Sequence, residues 1–184
     1  MQPRKQHLIE TALSLFSEKG YHATGIDLIL ATSGVSKATL YKHFRSKEEL
    51  ILAALKNRDQ QILGTLQTAL SNADKTQLSV IEVVFDHLHN WFNSEAFFGC
   101  NFINASAEYN DPNSPITLYI IEHKQNVIKV IAEQLATTNC DDQANKVQQI
   151  GLLIEGAIVM AHTQGEKNAA LIAKEMAKTL LKIK

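Results

Sequence analysis

Residues 24–50 read TGIDLILATSGVSKATLYKHFRSKEEL, and this stretch decides the fold of the chain. Its apolar residues recur at helical spacing on both sides of Gly34, a residue that readily adopts the positive φ of a tight turn. Thr24 is placed to cap the first helix, and Ser36 is placed to cap the second. Two short helices around such a turn are the pattern of a helix-turn-helix.

The second helix of this motif, predicted over residues 37–44, should have an inward and an outward face. Four apolar residues are expected to hold it against the first helix: Ile29, Val35, Leu40 and Phe44. The outward face then combines cations, hydroxyl groups and an aromatic ring, on Lys37, Thr39, Tyr41, Lys42 and His43. These groups suit DNA phosphates and base edges. Lys47 follows at the start of a further helix, capped by Ser46 and Glu49, where its charge and the backbone N–H groups suit a phosphate.

The charge of the chain is divided unevenly between its two parts. Residues 1–47 carry seven Lys and Arg against three Asp and Glu, whereas residues 48–184 carry eleven against sixteen. The net charge of −1 therefore conceals a basic head and an acidic body. This asymmetry is expected if only the head meets phosphate.

The rest of the sequence predicts helices and no strand. Gly and Pro are few, at 8 and 3 residues, and apolar residues recur at intervals of three and four. We expect an all-α chain of about nine helices. A helix-turn-helix DNA-binding domain of three helices is expected over residues 1–47, and a larger ligand-binding and dimerisation domain over residues 48–184.

Neither the N-terminal residues nor the apolar runs suggest export or membrane insertion. No continuous apolar region follows the first residues, and the longest nearly apolar run, residues 150–161, is too short to span a bilayer. Two cysteines, Cys100 and Cys140, make no disulfide framework or metal knuckle. We expect a cytoplasmic protein that does not bind a membrane.

The helix-turn-helix stretch resembles the TetR/AcrR family of transcriptional regulators. The matching positions, with strong identity over about residues 6–50, are Thr24, Ile29, Gly34-Val35-Ser36, Thr39-Leu40-Tyr41, His43-Phe44 and Ser46-Lys47-Glu48-Glu49-Leu50. Residues 98–105, FGCNFINA, resemble the start of a pocket helix in many members. Leu30, Ser33 and Ala38 depart from the usual residues, as packing adjustments.

The resemblance implies how the head meets DNA. The helix over 37–44 would enter the major groove of a palindromic operator, with base or phosphate contacts from Lys37, Thr39, Lys42 and His43. Phosphate contacts would come from Thr24, Tyr41 and Lys47. Tyr41 and Thr39 also have a structural interpretation, in packing across the motif and in starting the helix. Repression is the default for the family.

The last two helices are expected to form a homodimer. Residues 150–161 are apolar almost all round, so this helix must be covered on more than one side. The resemblance implies a four-helix interface from two copies, with Leu152, Leu153, Gly156, Met160, Ile172, Met176 and Leu180 in contact. Burial within one subunit is the alternative.

A small-molecule site is expected in the body, because polar groups are scattered through its apolar helices. The candidates are His87, Trp91, Phe98, Cys100, Asn101, Asn104, Tyr119, His123 and Glu155. The aromatic and aliphatic bias favours an apolar or aromatic inducer. The alternative for each residue is an ordinary core or surface polar group. We expect no cofactor and no metal.

Two other functions are open to the sequence. Cys100 follows Gly99 at a predicted helix N-terminus, where the helix dipole favours a thiolate that senses oxidants or electrophiles, or else it is a small buried hydrophobic residue. An enzyme is the less favoured alternative, because no nucleophile–base pair is apparent and His87 and His89 point apart on a helix. A ligand-released repressor is the preferred interpretation.

Overall fold

The computed structural model describes residues 3–138 and 140–183. In these residues the chain forms nine α-helices and no strand, as the sequence predicts. Their bounds are α1 Pro3–Lys19, α2 Ile26–Ser33, α3 Lys37–His43, α4 Lys47–Ser71, α5 Gln77–Phe92, α6 Asn101–Glu108, α7 Pro115–Ala136, α8 Gln143–Thr163 and α9 Ala169–Leu181. Of the helices described, none has the length and apolar character needed to cross a membrane.

The helices divide into two compact units. The first comprises the chain up to Gln61 together with Cys100–His123, and the second comprises Ile62–Gly99 and the chain from Lys124 onward. Helices α4 and α7 therefore contribute to both units. The domain boundary at residue 47 stays a prediction, and the grouping of α6 with the helix-turn-helix was not anticipated.

The core of the helix-turn-helix lies where α1 packs on α2 and α3. Ile29 and Leu40 are fully buried, Phe44 is nearly so, and Val35 is half-buried. Gly34 ends α2 at a φ of 66°, with its N–H donating to the Leu30 carbonyl at 2.9 Å. The four residues are buried or half-buried as the sequence predicts, in a core where α1 packs against both motif helices.

The caps of the first helices are only partly as expected. The Ser36 hydroxyl accepts the Thr39 N–H at 3.2 Å, so Ser36 caps α3. Gly25, not Thr24, is the residue before α2, and it makes no side-chain cap. The prediction that Thr24 caps α2 was wrong because the Thr24 hydroxyl donates to carbonyl groups behind it in the chain.

The second unit packs α9 against α5 and α8. Its core combines large residues of α5, such as Phe85 and Phe92, with alanines of α9. A Cβ at Gly151 would lie 2.6 Å from the Ile128 Cδ1, so a larger residue there would require the Ile128 side chain of α7 to move. Gly151 thus allows α8 to pack closely on α7 within the unit.

Candidate nucleic-acid interface

Helix α3 presents a basic, polar face to solvent. Lys37, Tyr41 and Lys42 are exposed, with 46% of the Tyr41 surface accessible, whereas Thr39 and His43 are half-buried. Leu40 on the opposite face is fully buried. The helix therefore exposes three of its five predicted DNA-contacting residues, while its buried apolar side fixes its orientation.

Lys47 lies at the N-terminus of α4 beside the loop before α2. Its Nζ donates to the His22 carbonyl at 3.4 Å. The Ser46 hydroxyl accepts the Glu49 N–H at 3.2 Å, and the Glu49 carboxylate accepts the Arg45 N–H at 2.7 Å. The predicted capping box forms, except that the Glu49 side chain accepts the N–H of Arg45 instead of that of Ser46. Lys47 is half-buried at the helix N-terminus.

Thr24 is an interior anchor in this structure. Its side chain is fully buried, and its hydroxyl lies 2.7 Å from the Gly20 carbonyl oxygen and 3.2 Å from the Leu15 carbonyl oxygen. In this conformation the side chain cannot reach a phosphate. A threonine just before a helix can bond inward, or it can face solvent and contact a phosphate, and the local sequence is the same in both cases. The sequence alone therefore could not distinguish these two roles for Thr24.

The loop between α1 and α2 is held by α6, a contact that the sequence analysis missed. The Glu108 carboxylate accepts the N–H groups of Tyr21 and His22 and lies 2.8 Å from the His22 Nδ1. Tyr21 is fully buried, and its hydroxyl donates to the Asn101 carbonyl at 2.9 Å. The Asn101 amide in turn donates to the Ser17 hydroxyl. Both ends of α6 are therefore bonded to the helix-turn-helix head.

The Glu108 contact should make the stability of the fold depend on pH. Partial burial raises the pKa of the Glu108 carboxyl, but the N–H groups of Tyr21 and His22 and the His22 side chain lower it more, so the pKa lies below its ordinary 4.5. A depressed carboxyl pKa stabilises the fold above the ordinary value and loses this contribution as the pH falls through the folded-state pKa.

We expect Glu108→Gln to cost about 1 to 3 kcal/mol of unfolding free energy at pH 7, because a charged acceptor of two N–H groups is lost. The difference from wild type should shrink below about pH 4.5. Urea unfolding at several pH values measures both effects. Glu18→Gln, which alters an exposed carboxylate on α1, should cost little at any pH. A difference from wild type that stays constant down to pH 3 would contradict the assignment.

Five of the ligand candidates lie in the first unit, where the structure brings two of them together at Asp59. The Tyr119 hydroxyl donates to the Asp59 Oδ2 at 2.8 Å, and the His123 Nδ1 lies 2.6 Å from the Oδ1. The His123 ring stacks on Phe102, with ring centroids 3.5 Å apart. Asn101 instead bonds to the head, Cys100 is buried before α6, and Asn104 is half-buried.

The other four candidates lie in the second unit. The Trp91 ring meets Phe97 edge to face at 4.9 Å, and the Glu155 carboxylate pairs with the Lys124 ammonium at 2.7 Å. Phe98 is exposed and His87 is half-buried. Within this unit the structure therefore gives Trp91 and Glu155 separate local partners.

An apolar surface runs along α8 and α9, which pack together in the second unit. Five of the predicted interface residues are exposed: Leu152, Gly156, Met160, Ile172 and Met176. Leu153 and Leu180 are half-buried, and exposed Val159 was missed although it lies seven residues after Leu152 on the same face. The alternative that one subunit buries this whole surface is wrong, because 74% of Leu152 and 55% of Met176 are accessible.

An exposed basic helix on a helix-turn-helix head, together with further helices and no strand in the part described, is the architecture of a DNA-binding transcription regulator. The family model for "Bacterial regulatory proteins, tetR family" matches residues 8–54. The structure is similar to that of SCO4454, a TetR-family regulator from Streptomyces coelicolor, with a TM-score of 0.89 and 29% identity over 97% of this chain and 94% of that one. The chain is thus similar to TetR-family regulators, in sequence over residues 8–54 and in structure over 97% of its length.

Two curated relatives differ in how much they share with this chain. FasR, a transcriptional activator of Mycolicibacterium smegmatis, is 38% identical over 90 residues, which are 47% of this chain. The match spans only 41% of the length of FasR. YxaF, a helix-turn-helix regulator of Bacillus subtilis, is 24% identical over 98% of this chain and 96% of its own. These relatives are transcriptional regulators.

Proposed function

We propose that this protein is a homodimeric repressor that binds a palindromic operator and is released by a small apolar or aromatic ligand. The observation that carries the proposal is the outward basic face of α3, with Lys37, Tyr41 and Lys42 exposed above a buried Leu40. Repression is preferred because occupying an operator blocks transcription by itself, whereas activation needs a further contact surface.

Each side chain of the interface has a proposed role. Lys37, Thr39, Lys42 and His43 contact base edges or phosphates in the major groove, and Tyr41 and Lys47 bind phosphates on either side of it. Thr24 is left out, because its hydroxyl bonds inward to the Gly20 and Leu15 carbonyls. Its proposed role is to fix the loop that leads into α2.

The exposed apolar surface of α8 and α9 supports dimerisation. Leu152, Gly156 and Met160 are spaced by four residues, as are Ile172 and Met176, so each helix contributes one continuous stripe. Pairing two copies about a two-fold axis covers both stripes and presents two recognition helices to the two half-sites of a palindrome, about one DNA turn apart.

Release by ligand is proposed as a shift between two conformers of the dimer. The ligand must bind the conformer with the wrong spacing of recognition helices more tightly than the operator-binding one. Within the first unit, the rings of Tyr119, His123 and Phe102 lie near Asp59 and support an aromatic or apolar ligand.

Fluorescence anisotropy with DNA from upstream of the protein's own gene tests the DNA-binding role. We expect salt-sensitive binding with a Kd of about 10⁻⁸ M or tighter, and a loss of at least about tenfold in Tyr41→Ala and Lys47→Ala. Lys129→Gln removes an exposed charge of α7 and should bind as wild type does. Equal affinity for operator and scrambled duplexes would contradict the proposal.

A thiol sensor is the second candidate, and a charge near Cys100 favours it. Burial lowers the pKa of the Arg58 guanidinium, and an electrostatic interaction with Cys100 acts in the opposite direction. Cys100 itself is buried, so an oxidant must enter the unit to reach it. Operator release by peroxide or a quinone should disappear in Cys100→Ser, and unchanged release in that variant would exclude this function.

A further inference from the structure

A depression lies between the first turn of α1 and the recognition helix. It has a volume of about 360 Å³ and is lined by Pro3, Arg4, Thr39, Lys42 and His43. Two helices that are distant in the sequence, α1 and α3, thus both contribute to its lining. Arg4 was not among the residues that the sequence analysis selected.

The charge of this depression is entirely basic. Arg4 and Lys42 are exposed, His43 adds a third potential cation, and none of the lining residues is acidic. In the described part of the chain no carboxylate pairs with Arg4 or Lys42. Neighbouring Lys5 differs, because its ammonium lies 5.5 Å over the Phe44 ring. Two unneutralised cations that converge on one depression fit an anionic ligand.

We propose that this depression binds a phosphate of the DNA backbone, held by Arg4 from α1 and by Lys42 and His43 from α3. The proposal rests on the proposed function and narrows it. An Arg guanidinium holds phosphate oxygens with paired N–H donors, and a Lys ammonium adds a point charge. With Lys42 and His43 assigned to the backbone, base reading falls to Lys37 and Thr39.

The two assignments have different consequences for specificity. A lost phosphate contact weakens binding to all sequences alike and reduces the dependence of log K on log salt by about 0.9 per phosphate. In a dimer, one such contact in each protomer gives a reduction of about 1.8. A lost base contact instead weakens the operator complex and leaves the complex with scrambled DNA unchanged.

Arg4→Gln and Lys42→Gln test the proposal in the full-length dimer, by anisotropy with operator and scrambled duplexes from 50 to 200 mM KCl. Each variant should reduce the salt slope on both duplexes, with a reduction of about 1.8 in the double variant, and should keep the ratio of the two affinities within about twofold. The double variant should lose less than the sum of the single losses, because both cations hold one phosphate. Lys19→Gln removes the same charge at the other end of α1 and controls for net charge.

The outcomes separate this proposal from the proposed function. An Arg4→Gln slope equal to that of Lys19→Gln overturns the phosphate site while operator binding by the wild type stands. A loss on the operator alone also overturns it, because that result assigns the residue to base reading. Wild-type protein without any operator preference overturns the proposed function itself. Circular dichroism of the variants, whose altered side chains are exposed, should match that of wild type.

Discussion

The double replacement Leu152→Glu and Met176→Glu is expected to make the protein a monomer and to weaken operator binding by about 100-fold or more. Both residues are largely exposed in the single chain, so the change should leave the subunit folded. In a two-fold dimer the change places four carboxylates within the contact of α8 and α9. Burying unpaired charges there costs several kcal/mol for each group, more than the interface can offset.

The loss of affinity follows from the loss of one recognition helix per complex. When one half-site of a dimer is bound, the second helix meets its half-site at a high effective concentration, which raises the affinity by about 10² to 10⁴. A monomer keeps only the contacts of one α3. Sedimentation velocity measures the oligomeric state, and anisotropy of the same samples measures the affinity.

Leu118→Glu is the matched control for this experiment. Leu118 lies on α7 and is 54% exposed, yet it does not belong to the α8 and α9 surface. Its replacement should leave both the mass and the affinity unchanged. If the double variant stays dimeric, the interface lies elsewhere on the chain. If it becomes monomeric and still binds as wild type does, two recognition helices are not required.

The second large effect is expected from Asp59→Ala, which should lower the free energy of unfolding by about 3 to 5 kcal/mol. Asp59 is 5% exposed, and its carboxylate serves both the Tyr119 hydroxyl and the His123 ring nitrogen. Alanine leaves both groups without their carboxylate inside the first unit. Urea unfolding at one fixed protein concentration measures the change, since the proposed dimerisation would also contribute to stability.

Asp86→Ala provides the comparison with a surface ion pair. Asp86 accepts the Lys174 ammonium at 2.6 Å, but half of its side chain is in water. Its loss should cost about 1 kcal/mol or less. Asp59→Asn should fall between the two, because an amide oxygen still accepts one hydrogen bond. Equal losses for Asp59→Ala and Asp86→Ala would show that the buried cluster does not stabilise the first unit.

Local features of the sequence predicted the helix-turn-helix well. Gly34 and Ser36 determine their own turn and cap, and the spacing of Ile29 and Leu40 indicates which face of each helix is buried. These interactions join residues only a few positions apart. The residues that form the recognisable sequence pattern are therefore the same residues that make the contacts. The same holds for the outward stripe of Leu152, Gly156 and Met160 on α8.

Contacts between distant residues were not predictable in the same way. Glu108 bonds to Tyr21, 87 residues away, and nothing near Glu108 distinguishes it from the other carboxylates. Asp59 did leave a signal, because it falls on the apolar stripe of Leu55, Ile62 and Leu66 in α4. A carboxylate at such a position needs a buried partner. The sequence pattern therefore predicts that Asp59 has one, but it does not show that the partner is His123.

The bonding of the Tyr21 loop to Glu108 has a consequence for synthesis on the ribosome. The first unit joins the chain up to Gln61 to Cys100–His123, so about forty residues of another unit are translated between its two parts. During synthesis, Tyr21 can bond to the Glu108 carboxylate and the Asn101 carbonyl only after α6 has been translated. A gene fragment that stops at residue 61 therefore encodes an incomplete head, and grafting this head onto another body requires α6 to be carried with it.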